Sequence, residues 1–197
     1  MIVKRSSYFI LSLMVLNDVV KAIQTSDIAN PSSVAVSYFE WFRTGDPNLV
    51  GENFKKTGAL KAEFSLRLDP LSSAMIVMVT FLGTFIAVFS TGYMRDHHGH
   101  IDPGYPRFFA SVSLFLGSML ILVLADNVLL LYAGWEGVGL CSYLLIGYWF
   151  KNNEYGNAAR KAFVMNRIGD LGFLLGLFFI IQQFGSLTYT EVFSQAE

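Results

Sequence analysis

From Val128 to Phe150 the chain reads VLLLYAGWEGVGLCSYLLIGYWF, an apolar run in which Glu136 is the one charged residue. A helix needs about 20 such residues to cross a bilayer, so this run is long enough to span. A lipid-exposed segment has to pair its own backbone groups, which makes it helical. An acidic residue at the centre of a spanning helix costs about 2.5–3.5 kcal/mol on insertion scales. A carboxylate placed there marks a site, and the chemistry it points to is the movement of protons or ions.

The 197-residue chain as a whole follows the same plan, being 53% hydrophobic and 15% charged, with its apolar residues gathered in long blocks. A soluble domain would spread them at amphipathic spacing. Four strong spans are expected, at about 70–94, 108–125, 128–150 and 161–184. Asp69-Pro70 opens the first, with aspartate suited to the cap and proline to the first turn. Asp126 and Asn127 alone separate the second and third, which therefore form a tight antiparallel hairpin, and Asp126 is expected to cap the helix that follows. Residues 1–23 form a weak or partial span. Lys4 and Arg5 precede a short apolar run, Tyr8 to Leu16, in the manner of a secretory signal, but Asn17 and Asp18 break it and no small-residue cleavage site follows. Residues 24–69 read as an outer-side loop in which Phe64, Leu66 and Leu68 alternate with Ser65 and Arg67, and Val34 to Phe42 offers a partner strand. Residues 185–197 read as a polar tail. The fold class is an all-α polytopic transmembrane helix bundle with a short extramembrane β-hairpin.

The loops at 95–107 and 151–160 carry most of the short-loop Lys and Arg, which places them in the cytoplasm and the 24–69 loop outside. A net charge of −1, with no basic cluster outside connecting loops, gives no nucleic-acid partner. Cys141, alone in its type, lies in an apolar span and is a packing residue. His97, His98 and His100 sit in a polar loop without a zinc-like ligand set, so no metal is expected. No phosphate loop, dinucleotide fingerprint or iron–sulfur motif is present, and no cofactor or redox chemistry is assigned to this chain.

Helical spacing puts Tyr132, Ala133, Gly139, Leu140, Tyr143 and Gly147 on the face of Glu136. A low-dielectric surrounding favours a neutral carboxyl and a nearby cation favours the ionised one, so a carboxyl with a movable positive partner can shuttle protons. On the fourth span Arg167 and Asp170, three residues apart, can pair within the helix, and Asn166 extends their polar stripe. They form either a packing lock or part of a charge relay. Gly172 and Gly176 have the spacing of a close helix contact.

The segments FSLRLDPLS (64–72), STGYM (90–94), DPGYPRFFA (102–110), LADNVLLLYAGWEGVGLCSYLLIGYW (124–149) and RKAFVMNRIGD (160–170) resemble consecutive motifs of the subunit L, or chain 5, family of NADH:quinone oxidoreductase, respiratory complex I. The resemblance covers about residues 60–197. It implies the start of an antiporter-like inverted-repeat fold in an inner membrane, beside other membrane-arm subunits that handle NADH, FMN, iron–sulfur clusters and quinone. It implies a proton relay of Glu136, Asp170 and Arg167, supported by Tyr132, Tyr143 and Lys161. In that family the glutamate pairs with a lysine on a later broken helix, expected beyond Glu197, so the chain reads as an N-terminal portion. Large subunits of multi-subunit sodium/proton antiporters share the intramembrane glutamate and are the alternative, although RIGD at 167–170 looks more like complex I. A fragment that packs against neighbours without transporting is the third reading.

Overall fold

The computed structural model describes residues 33–44, 60–95 and 100–196. The weak span at 1–23 and the histidines His97 and His98 lie outside the described residues.

Strand β1 (Val34–Thr44) pairs antiparallel with β2 (Leu60–Leu68), setting Val34 opposite Leu68 and Thr44 opposite Leu60, with register irregularities between Ser37 and Phe39 and between Glu40 and Phe42. The hairpin expected from alternation is therefore present. Leu60, Ala62 and Ser65 of β2 are buried, while Phe64 stacks on Phe39 at 5.2 Å between centroids.

Helix α1 (Pro70–Tyr93) begins in a capping box: Asp69 Oδ1 accepts from the Ser72 N–H at 2.7 Å and Ser72 Oγ accepts from the Asp69 N–H at 2.8 Å. Helix α2 (Tyr105–Leu124) opens with Pro106 in its first turn. Helix α3 (Val128–Ile146) is capped by Asn127, whose side-chain oxygen accepts from the Leu130 N–H at 2.8 Å. The cap expected at Asp126 thus belongs to its neighbour, since Asn127 adopts the extended cap conformation with φ −141° and ψ 157°. The apolar run continues to Phe150, but the helix stops sooner: Gly147 is the C-cap, and residues 147–151 turn.

Helix α4 (Asn153–Phe184) starts well before the expected Lys161. Its 32 residues extend about 48 Å, longer than the ~30 Å hydrocarbon core, so its polar first turns project beyond the span. Gly185, at φ 70°, ends it in the left-handed conformation that glycine adopts without a Cβ penalty. The polar tail is itself helical, as α5 (Tyr189–Ala196), with Val192 turned inward.

Helices α1 to α4 are long and apolar enough to cross a membrane. They pack in chain order, α2 and α3 as the expected antiparallel hairpin and α4 against α3. Gly134 makes that hairpin tight, because a Cβ there would lie 2.7 Å from the Leu122 backbone nitrogen. By contrast, a Cβ on Gly172 or Gly176 would meet nothing within 4 Å, so the close contact expected from their spacing is not made among the described residues. Cys141 is fully buried, consistent with a packing role. Leu60, Ala62, Leu177 and Leu187 form a small apolar cluster where the hairpin and the α4–α5 connection meet.

An intramembrane carboxylate and arginine cluster

Glu136 falls at the middle of α3, and the residues that meet it come from two helices. On α3, Tyr132 lies one turn earlier, and its hydroxyl donates to Glu136 Oε1 at 2.6 Å. From α4, Arg167 Nη1 donates to Glu136 Oε2 and stands 3.6 Å from Asp170 Oδ2 on its own helix. The second oxygen of Asp170 accepts from the indole N–H of Trp135 at 2.8 Å. Two carboxylates therefore share one guanidinium, and each has a further donor from α3.

Aromatic rings wall this group. Phe173 lies 5.4 Å from Tyr132 and 6.2 Å from Trp135 between centroids, and the Arg167 guanidinium lies 4.7 Å from the Phe163 centroid. Asp170 is 6% exposed. Arg167 Nε is buried without a hydrogen-bond partner, so the guanidinium keeps a donor in reserve.

The charge count defines what the cluster can do. With both carboxyls ionised its formal charge is −1, and one proton makes it neutral. Isolated charge is costly in a low-dielectric interior, so the two acids and the guanidinium between them offset one another where they meet.

Of the residues expected to act together, the structure unites Glu136, Arg167, Asp170 and Tyr132. Tyr143 does not join them: it lies about two turns from Glu136 along α3, and its ring packs 5.2 Å from Phe163. Lys161 is exposed on α4, nearly two turns before Arg167. Asn166 faces α3 at Gly139, 3.7 Å from the position a Cβ would occupy. Trp135 is the member that sequence reasoning missed. Its signal was present, since an indole N–H in an apolar span needs an acceptor.

Each end of the bundle holds its own polar group. At the hairpin end, Asn127 Nδ2 donates to the Glu63 carbonyl at 2.8 Å, the Asp126 N–H to the Ser65 carbonyl at 3.2 Å, and the Val128 N–H to the Leu187 carbonyl at 3.0 Å. Burial pushes the Asp126 carboxyl up from its ordinary value, against the pull of Ser65 and of Arg67, whose Nη1 stands 4.0 Å away. At the other end, Asp102 Oδ1 accepts from the Tyr148 hydroxyl and the Gly104 N–H, both at 2.7 Å. The Tyr148 bond and then the Gly104 bond hold Asp102 below the usual carboxylate range, while burial and then the Asp102 contact push Tyr148 up to about 12.

Four apolar spans, a helix pair carrying two acids and an arginine between them, and a tight α2–α3 hairpin describe a multi-pass membrane protein with a charged cluster between two of its spans. Residues 54–109 match the family described as NADH-Ubiquinone oxidoreductase (complex I), chain 5 N-terminus, and residues 125–197 match NADH:quinone oxidoreductase/Mrp antiporter, TM. The chain belongs to the subunit L, chain 5 family of NADH:quinone oxidoreductase. NADH-quinone oxidoreductase subunit L of Mycobacterium tuberculosis is 48% identical over 137 residues, 70% of this chain and 21% of that protein. The subunit L of Pseudomonas aeruginosa is 49% identical over 148 residues, 75% and 23% of the two chains, and that of Campylobacter jejuni 46% over 162 residues, 82% and 24%. The chain thus spans about a fifth to a quarter of the length of these relatives. In fold it is similar to a chain of the Mrp complex from Dietzia sp. DQ12-45-1b, with a TM-score of 0.60 at 24% identity, over 96% of this chain and 18% of that one.

Proposed function

We propose that this chain contributes to proton translocation in the membrane arm of an NADH:quinone oxidoreductase, with Glu136 as the proton-carrying carboxylate. The observation that carries this reading is the shared Arg167, in contact with both Glu136 and Asp170 at the middle of the membrane. When Arg167 engages Asp170, Glu136 loses its cation and the neutral acid is favoured; when Arg167 engages Glu136, the ionised form is favoured and the proton leaves. Tyr132 can donate to either form. Trp135 holds Asp170 in place while the guanidinium moves. NADH, flavin, iron–sulfur clusters and quinone belong, in this reading, to other subunits, which supply the energy. Moving one charge against 100 mV takes about 2.3 kcal/mol, so proton release has to be coupled to a change of access as well as of protonation. The site of action is a bacterial inner membrane, beside other membrane-arm subunits.

The test is Glu136→Gln in the assembled oxidoreductase reconstituted in vesicles. The expected result is a loss of proton uptake per NADH oxidised of tenfold or more; undiminished uptake would overturn the assignment. The match of residues 125–197 to a family shared with Mrp antiporters favours a second reading, a large subunit of a sodium/proton antiporter. Sodium-dependent proton exchange in the absence of NADH would select it.

A further inference from the structure

At the end of the bundle opposite the β-hairpin, the α1–α2 and α3–α4 connections border an open groove of about 790 Å³, within the roughly 300–1,000 Å³ typical of ligand sites. Here α1 ends at Tyr93, α2 begins at Tyr105, α3 ends at Ile146 and α4 begins at Asn153. Spans α1, α2 and α3 change from apolar to polar near this level and the polar first turns of α4 begin there, so the groove lies at the polar boundary of the bilayer. The Lys and Arg distribution places that boundary on the cytoplasmic side.

Among the described residues, two cations line the groove, Arg107 and Lys151. Arg107 is held in position: Nη2 donates to the Tyr148 carbonyl at 2.8 Å, and the guanidinium lies 5.0 Å from the Tyr148 centroid and 5.0 Å from that of Phe150. The residue is nonetheless exposed, as is Lys151, and neither forms a salt bridge among the described residues. Asp102 is the one acid in the lining among the described residues, and its Oδ1 is already engaged by Tyr148 and Gly104. The remaining surface is aromatic: Tyr93, Trp149 and Tyr155 are 58%, 47% and 47% exposed.

We propose that this groove binds an anionic glycerophospholipid, with Arg107 and Lys151 on the headgroup phosphodiester and the rings of Tyr93, Trp149 and Tyr155 along the glycerol and upper acyl chains. Exposed Trp and Tyr favour the headgroup level, and basic pockets between spans on the cytoplasmic side suit anionic headgroups. A zwitterionic lipid fits less well, because its ammonium would meet two cations and an acid that is already bonded.

The test uses the full chain in its assembled complex, reconstituted in phosphatidylcholine vesicles doped with phosphatidylglycerol bearing a photoreactive headgroup. Labelling of peptides 102–107 and 148–155 is expected, with displacement by unlabelled phosphatidylglycerol and none by added phosphatidylcholine or inorganic phosphate. Lys151→Gln, at an exposed site, should weaken labelling about fivefold, the share of one cation near an anionic surface, while Arg107→Lys retains most of it. Equal displacement by phosphatidylcholine would reduce the groove to an ordinary bilayer contact, and displacement by phosphate to a soluble-anion site. Either result, an absence of label, or unchanged labelling of Lys151→Gln would overturn the proposal.

Discussion

Two arginines in this chain, Arg67 and Arg167, each face a carboxylate across an element boundary, yet they sit in differently built surroundings. Arg67 approaches Asp126 at 4.0 Å in a region joined by bonds to backbone carbonyls: the Asn127 side-chain amide to the Glu63 carbonyl, the Asp126 N–H to the Ser65 carbonyl, and the Tyr189 N–H to the Asp126 carbonyl at 3.3 Å. Those bonds do not depend on protonation, so the region holds its shape whatever Asp126 carries. Arg167 sits among side chains alone, one base with two acids. There the geometry and the proton count depend on each other. The first arrangement suits a scaffold, and the second suits the relay proposed for Glu136.

Substitutions can break this contrast. The largest effect on stability is expected for Arg167→Ala, which leaves two acids in the membrane without their cation. The loss should be about 3 kcal/mol, at the low end for a broken buried pair because the guanidinium side chain is 39% exposed. Adding Asp170→Asn should restore part of it, measured by thermal unfolding in detergent. No recovery would mean that the acids do not compete for Arg167. Asn127→Ala removes an N-cap and a bond to the hairpin, at about 1 kcal/mol each, and should lower stability by about 2 kcal/mol. Proton transport per folded molecule should be unaffected by that change. Trp135→Phe keeps the ring and loses the N–H to Asp170, and should shift the pH profile of transport with little change in thermal stability.

The smallest effects should come from the two ends and have opposite signs. Asp126 is pushed above its ordinary value, so its ionisation works against the fold: its contribution is complete below the usual carboxylate range and is lost as pH rises through the raised value. Asp126→Asn should therefore gain stability at neutral pH, by less than about 1 kcal/mol with the Arg67 contact opposing, and gain none in acid. Asp102 is held below its ordinary value, so its contribution is present above the usual range and lost as pH falls through the lowered one. Asp102→Asn should lose stability at neutral pH and match the parent in acid. Unfolding curves at two pH values check both, and like-signed shifts would contradict the difference between the ends.

What could be read from sequence here is what helix periodicity fixes within one element. Tyr132 with Glu136, and Arg167 with Asp170, follow from spacings of four and three residues, and both contacts are made. Trp135 escaped because its contact depends on how α3 and α4 are rotated against each other. Helical angle alone places Tyr143 on the Glu136 face, yet seven residues is about 10 Å along a helix, and its ring packs on Phe163 instead. The extra turns of α4 were hidden because hydropathy reports the bilayer and not the helix, which continues through polar residues from Asn153. Whether Asp126 or Asn127 caps α3 was settled by the position of β2, since Asp126 is drawn to Ser65 and Arg67.

The most direct test compares the two acids in one assay: proton uptake per NADH oxidised by the vesicle-reconstituted complex, for the parent, Glu136→Gln and Asp126→Asn. Uptake should fall at least tenfold for Glu136→Gln and stay at the parent level for Asp126→Asn. Equal loss in both variants, or none in Glu136→Gln, would contradict a mobile proton in the Arg167 cluster and a fixed scaffold at the hairpin end.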